Sequence, residues 1–116
     1  MAEDFDDTFY TDKPLSEAYR LTARRWVDAH AAAQLLEETK SQVLQSWAQE
    51  LVKNEMITGA EAERRVKASD PWRKHIEAMV EARTRELKLK CNLEYIRMRA
   101  AEAASYEASR RAEMRL

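Results

Sequence analysis

The chain has 116 residues, a formal charge of −1 and one cysteine, and 35% of its residues are charged. Its near-neutral net charge argues against a nucleic-acid-binding protein that is basic over its whole length. A single cysteine cannot form an internal disulfide. Only one glycine is present, whereas β proteins and α/β enzymes need glycine at tight turns, where it takes positive φ without steric cost. The composition therefore predicts an all-α protein.

Residues 1–12 carry five acids, three aromatics and no base. They show no helical period, so we expect an acidic, aromatic, flexible tail that precedes a single helical-hairpin domain at 13–116. Phe5, Phe9 and Tyr10 are interleaved with the acids, as in short linear motifs whose aromatic anchors bind a partner while the acids steer association. An inert acidic tail is the equal alternative.

The first long helix is predicted at about 14–57. Pro14 favours a first helical turn, because the N–H that proline lacks would have no helical partner there, and Asp12 or Ser16 can cap the helix. No glycine or further proline follows until Gly59. Apolar and aromatic residues recur along this helix at near-heptad spacing, which predicts a coiled-coil seam. The seam consists of Tyr19, Thr22, Trp26, Ala29, Ala33, Leu36, Val43 and Trp47.

Two helix starts follow in quick succession. Thr58 and Glu61 have the spacing of a capping box, in which each side chain bonds the backbone N–H of the other residue. They predict a short helix at about 59–68. Asp70 is then expected to be the N-cap of a second long helix, with Pro71 at its first helical position.

The second long helix is predicted to span about 71–116, so that two long helices pack as an antiparallel, coiled-coil-like hairpin. Two apolar stripes run along this helix. The first consists of Ile76, Val80, Leu87, Cys91, Tyr95 and Met98. The second consists of Leu89, Leu93, Ile96, Ala100 and Ala103. One partner helix covers only one stripe, so we expect a homo-oligomer whose interface is the second stripe.

The sequence shows no pattern of catalytic or metal-binding residues. Val27 and Trp72 stand three residues before His30 and His75, the two histidines, where a helical metal site would have glutamate. Cys91 has no histidine nearby in the sequence that would activate its thiol. We therefore expect a protein that is not an enzyme and that needs neither a metal nor a cofactor.

The basic residues of the last helix give a second hypothesis, because arginines neutralise phosphates in nucleic-acid complexes. The arginines concerned are Arg97, Arg99, Arg110 and Arg111. A solvated helix face is the alternative explanation. The three tryptophans are expected in the core or at an oligomer interface, with base stacking as their alternative role. Because the sequence has no signal peptide and no stretch of the ~20 apolar residues that span a membrane, we expect a cytoplasmic protein.

The last third of the chain is rich in alanine and arginine, and two of its stretches are Asn92–Arg99 and Glu107–Met114. They resemble small helical proteins of unknown function that tailed bacteriophages encode, over about the last third of the chain. The resemblance implies an accessory protein acting around phage DNA recombination or replication in a bacterial host, and it supplies no catalytic residue. We therefore expect a non-enzymatic oligomer that binds other proteins, with direct nucleic-acid binding as the alternative.

Overall fold

A computed structural model describes residues 14–115 of the chain and is 93% helical. Within this range there are three helices and no strand: α1 (Leu15–Glu55), α2 (Gly59–Lys67) and α3 (Asp70–Met114). The prediction of two long helices and one short helix is confirmed. The predicted acidic tail lies outside the described residues.

Helix α1 begins and ends one or two residues inside its predicted bounds. The carbonyl of Pro14 accepts a hydrogen bond from the N–H of Ala18 at 3.0 Å, so Pro14 is the N-cap and not the first helical residue. At the other end Met56 adopts a left-handed backbone with φ 56°. Its N–H donates to the carbonyl of Val52 at 3.1 Å. A left-handed residue directly after a helix terminates it, so α1 ends at Glu55, ahead of the glycine.

At the start of helix α2, one of the two hydrogen bonds of the predicted capping box is formed. The N–H of Glu61 donates to Oγ1 of Thr58 at 3.2 Å. The Glu61 carboxylate instead accepts hydrogen bonds from the guanidinium groups of Arg64, at 2.5 Å, and Arg65, at 3.1 Å. Hydrogen bonds between charged groups are stronger than those to a neutral amide. They also hold the pKa of Glu61 below its usual value, Arg64 contributing most.

Ser69, and not the predicted Asp70, is the N-cap of α3. Its Oγ accepts a hydrogen bond from the N–H of Trp72 at 3.4 Å, and its carbonyl accepts one from Arg73 at 3.1 Å. The Ser69 hydroxyl also donates to the carbonyl of Val66 at 2.6 Å, which ties the cap to the end of α2. Asp70 therefore lies inside the first turn, where its carboxylate is 3.4 Å from the guanidinium of Arg73.

The described residues fall into two compact units, each containing one segment of α1 and one of α3. We call residues 14–28 with 85–115 the terminal unit. Its core contains Ala18 and Ile96, against which Leu15 and Leu21 pack. The other buried residues of this unit are Thr22, Leu89 and Asn92, two of which are polar.

The second compact unit, residues 29–84, is called the central unit. Within it Trp47 of α1 contacts Trp72 of α3, and Glu37 forms an ion pair with Arg83. Because the earlier residue of α1 pairs with the later residue of α3, the two helices run antiparallel in this unit. Helix α2 contributes the buried Ala62 and Val66, and α1 contributes Ala29 and Ala33.

Candidate interaction surfaces on helix α3

Helix α3 continues for 18 residues beyond Ile96, its last buried residue. Every residue from 97 to 115 is exposed, including Tyr106 and Met114. This segment, the C-terminal extension, is about 27 Å long at ~1.5 Å per residue. Helices in proteins take most of their stability from packing one face. A helix that no described residue covers is therefore a candidate surface for a partner.

A second open surface is formed by Leu87, Cys91, Tyr95 and Met98, which we call the exposed stripe. Spacings of four, four and three residues place these side chains on one face of α3. Leu87 is 52% exposed, Tyr95 41% and Met98 60%, and Cys91 is exposed between them. The buried side chains of the same segment point to the opposite face. The exposed stripe thus faces away from the core of the terminal unit.

The five residues predicted to form an oligomer interface do not form one open face. Leu89 and Ile96 are buried in the terminal unit, at 1% and 5% exposure. Leu93 is half-buried, and Ala100 and Ala103 are exposed on the C-terminal extension. Only the last three therefore offer surface to a second copy of the chain. Self-association itself stays a prediction.

Basic side chains flank the exposed stripe on both sides. At about 100° per residue, Lys88 and Arg99 lie on one flank and Lys90 and Arg97 on the other. Segment 87–99 holds these four bases and one acid, a formal charge of +3. The sequence prediction missed both lysines, although the alternation of lysine with apolar residues from 87 to 91 is a usable signal once the outward face is known.

A contact between Arg99 and Tyr95 lies at one edge of the exposed stripe. The guanidinium of Arg99 lies 5.9 Å from the ring centroid of Tyr95, a cation–π distance, and donates a hydrogen bond to the Tyr95 hydroxyl at 3.0 Å. On the other flank Arg97 is 4.0 Å from the Glu94 carboxylate. The stripe is therefore an apolar strip with charged, hydrogen-bonding edges, a composition typical of protein-binding surfaces.

The four arginines predicted to contact nucleic acid all lie on the C-terminal extension, but they form two lines. Arg99 and Arg110 are eleven residues apart, close to three whole turns, and so share a face. Arg97 and Arg111 lie within about 40° of each other on another face, roughly 130° away. A single duplex would therefore meet two of these arginines at a time.

The central unit holds an aromatic cluster of Trp47, Trp72 and His75. The ring centroids are 6.1 Å apart for each pair that includes Trp47, and 5.6 Å apart for Trp72 and His75. Trp72 is buried and packs edge-on, so it is not available to stack on a base. Nε2 of His75 is buried without a hydrogen-bond partner among the described residues. These rings act in packing.

A shallow groove of about 330 Å³ lies in the central unit, lined by Leu44, Ala48 and Val52 of α1 and by Gly59 and Glu63 of α2 among others. Glu63 is the one charged residue among the described residues that line it. The polar groups that line it besides Glu63 are neutral and include the hydroxyl of Ser41.

Within residues 14–115, no three His, Cys, Asp or Glu side chains lie close enough together to hold a metal ion. In the same range no helix combines the length and apolarity needed to cross a membrane.

Comparison of the chain with protein-family models, curated proteins and solved structures gives no significant match.

Proposed function

We propose that the chain is a non-enzymatic coiled-coil protein that self-associates and binds other proteins. The C-terminal extension supports this proposal most directly, because 18 residues of helix lie exposed beside the exposed stripe. Proteins commonly use such helices as recognition elements that complete a groove or a bundle on a partner. The small alanines of the extension permit close helix packing, and its methionine and tyrosine side chains offer apolar contact area.

Self-association is tested by sedimentation velocity on the full chain and on a double variant, Ala100→Glu with Ala103→Glu. Both alanines are exposed, so the variant is expected to keep its helicity. We expect the unmodified chain to be a dimer or larger and the variant to dissociate, because it places carboxylates in an apolar contact. Ala101→Glu, on another face of the extension, is the matched control and should leave assembly intact. A monomeric unmodified chain would contradict the proposal.

The setting that we propose is phage DNA recombination or replication in the bacterial cytoplasm. Its support is the resemblance of Asn92–Arg99 and Glu107–Met114 to small phage-encoded helical proteins. The second stretch lies wholly on the C-terminal extension. Affinity capture with the full chain from phage-infected bacteria, followed by mass spectrometry, should recover recombination or replication proteins. Recovery of partners unrelated to DNA would contradict this setting and leave protein binding itself intact.

Direct nucleic-acid binding is a second candidate function, favoured by the exposure of all four arginines on the extension. Binding through phosphates should weaken steeply as salt rises. The two arginine lines also predict a selective result. One double variant, Arg99→Gln with Arg110→Gln, removes the first line, and the other, Arg97→Gln with Arg111→Gln, removes the second. One of them should weaken nucleic-acid affinity more than the other. Absence of DNA or RNA binding at low salt would rule this candidate out.

A further inference from the structure

We propose that the exposed stripe is the docking site for the chain's own acidic N-terminal segment, residues 1–13. Three observations carry this inference: the charge around the stripe, the apolar side chains on both surfaces, and the point at which the segment joins α1. The inference is independent of the proposed function, since it concerns a contact within one chain. If it is correct, the segment and any partner compete for the same face of α3.

The charges of the two surfaces are complementary. Segment 87–99 has a formal charge of +3, whereas residues 1–13 hold five acids and one base, Lys13, a formal charge of −4. A second copy of the stripe would instead bring the same basic flanks, Lys88 with Arg99 and Lys90 with Arg97, against each other. Like charges facing each other across an interface are unfavourable. The charge pattern therefore favours the acidic segment as occupant over a second copy.

The apolar side chains are also complementary. The exposed stripe offers Leu87, Tyr95 and Met98, all more than two-fifths exposed, although the Arg99 guanidinium lies beside the Tyr95 ring. The N-terminal segment supplies Phe5 and Phe9, spaced four residues apart. Aromatic side chains bury a large apolar area for each residue that is ordered, and methionine adapts its shape to them. Acids on either side of the phenylalanines would then face the basic flanks.

The attachment point brings the segment within reach of the stripe. Leu15, the first residue of α1, packs against the cluster that contains Ile96, and Ile96 lies two residues before Met98. From Phe5 to Pro14 an extended chain spans up to about 30 Å. The stripe from residue 87 to 98 is about 16 Å long. A tether this short gives an effective concentration in the millimolar range, so a contact that is weak between separate molecules is formed within one.

Cys91, the single cysteine, lies in the middle of the exposed stripe and reports on its coverage. The measurement is the rate at which a small uncharged maleimide modifies Cys91 in the full-length protein. We expect Phe5→Ser with Phe9→Ser to raise this rate roughly fivefold, because the docked segment no longer shields the thiol. Thr8→Ala changes the same segment without removing an anchor, and its rate should match that of the unmodified chain.

Two further measurements distinguish this occupant from others. Asp6→Asn with Asp7→Asn should also raise the modification rate. Added salt should raise the rate in the unmodified chain and in Thr8→Ala, and change it little in the two double variants. A synthetic peptide of residues 1–13 at millimolar concentration should restore protection to the Phe5→Ser, Phe9→Ser variant. Equal rates in all variants would overturn the proposal. Protection that increases with protein concentration would also overturn it, since a second copy would then cover the stripe.

Discussion

The central and terminal units differ in what they bury. The central unit packs Trp72 into an aromatic cluster and contains the short helix α2. In the terminal unit the buried residues include the polar Thr22 and Asn92, and everything beyond Ile96 on α3 is exposed. Large apolar side chains contribute most to stability, while open helical faces contribute little. The comparison indicates that both units bury apolar side chains that stabilise the fold, and that the terminal unit also carries the candidate interaction surfaces.

The largest expected effect is the loss of the aromatic cluster. Trp72→Ala should lower the free energy of unfolding by about 3–5 kcal/mol, because it leaves a cavity at a buried ring. Tyr106→Ala removes an aromatic ring from the C-terminal extension and should cost less than about 0.5 kcal/mol. Urea unfolding followed by circular dichroism measures both. Similar losses for the two variants would break the contrast between the units.

The next prediction uses two leucines of the terminal unit that are two residues apart. Leu89 is 1% exposed, so Leu89→Ala should cost about 2–4 kcal/mol of unfolding free energy. Leu87 belongs to the exposed stripe and is 52% exposed, so Leu87→Ala should cost less than about 1 kcal/mol. The same urea titration applies. A reversed order would mean that α3 presents its other face to the core.

A smaller effect of opposite sign is expected at Thr22. Its side chain is fully buried, and Oγ1 has no hydrogen-bond partner within residues 14–115. Thr22→Val replaces this hydroxyl with a methyl group and should raise the free energy of unfolding by about 1 kcal/mol. Thr39→Val is the matched control, because the Thr39 hydroxyl donates to the carbonyl of Leu35 at 2.8 Å. A loss of stability in both variants would show that the Thr22 hydroxyl forms a hydrogen bond in the folded protein.

The smallest effect concerns acid pH in the central unit. Hydrogen bonds from Arg64, and then from Arg65, lower the pKa of the Glu61 carboxyl in the folded chain. Its stabilising contribution is therefore present above the unfolded-state pKa of about 4.3 and is lost as pH falls through the lower folded value. Glu61 is exposed to solvent screening, so the contribution is small. Unfolding free energies measured from neutral to acid pH should fall less steeply for Glu61→Gln than for the unmodified chain.

Local signals predicted the helices well and their ends less well. The scarcity of glycine and proline restricted helix breaks to a few positions, and Thr58 marked the start of α2 correctly. The end of α1 was missed because Met56, which has no sequence signature of a left-handed residue, terminates the helix. Ser69 and Asp70 are adjacent and both cap helices well, so sequence alone could not separate them.

The candidate surfaces required information that one helix does not contain. Both apolar stripes of α3 have helical spacing, and their compositions are similar. Which stripe faces α1 is decided by the rotation of α3 about its axis, and that depends on contacts such as Ile96 with Ala18, distant in sequence. The sequence pattern therefore reveals two stripes but does not tell which of them is exposed. The exposed one is the stripe that contains Leu87 and Met98. The basic flanks could be assigned only after that choice.

The C-terminal extension also has a thermodynamic consequence for recognition. Forming the first turn is the unfavourable step in making a helix, and adding residues to an existing helix is close to neutral. Because the extension continues α3 without a break from Asp70 to Met114, its nucleus is already formed in the packed part of the helix. The extension is therefore a preorganised helix. Its binding to a partner would cost less conformational entropy than the binding of an isolated peptide of the same sequence.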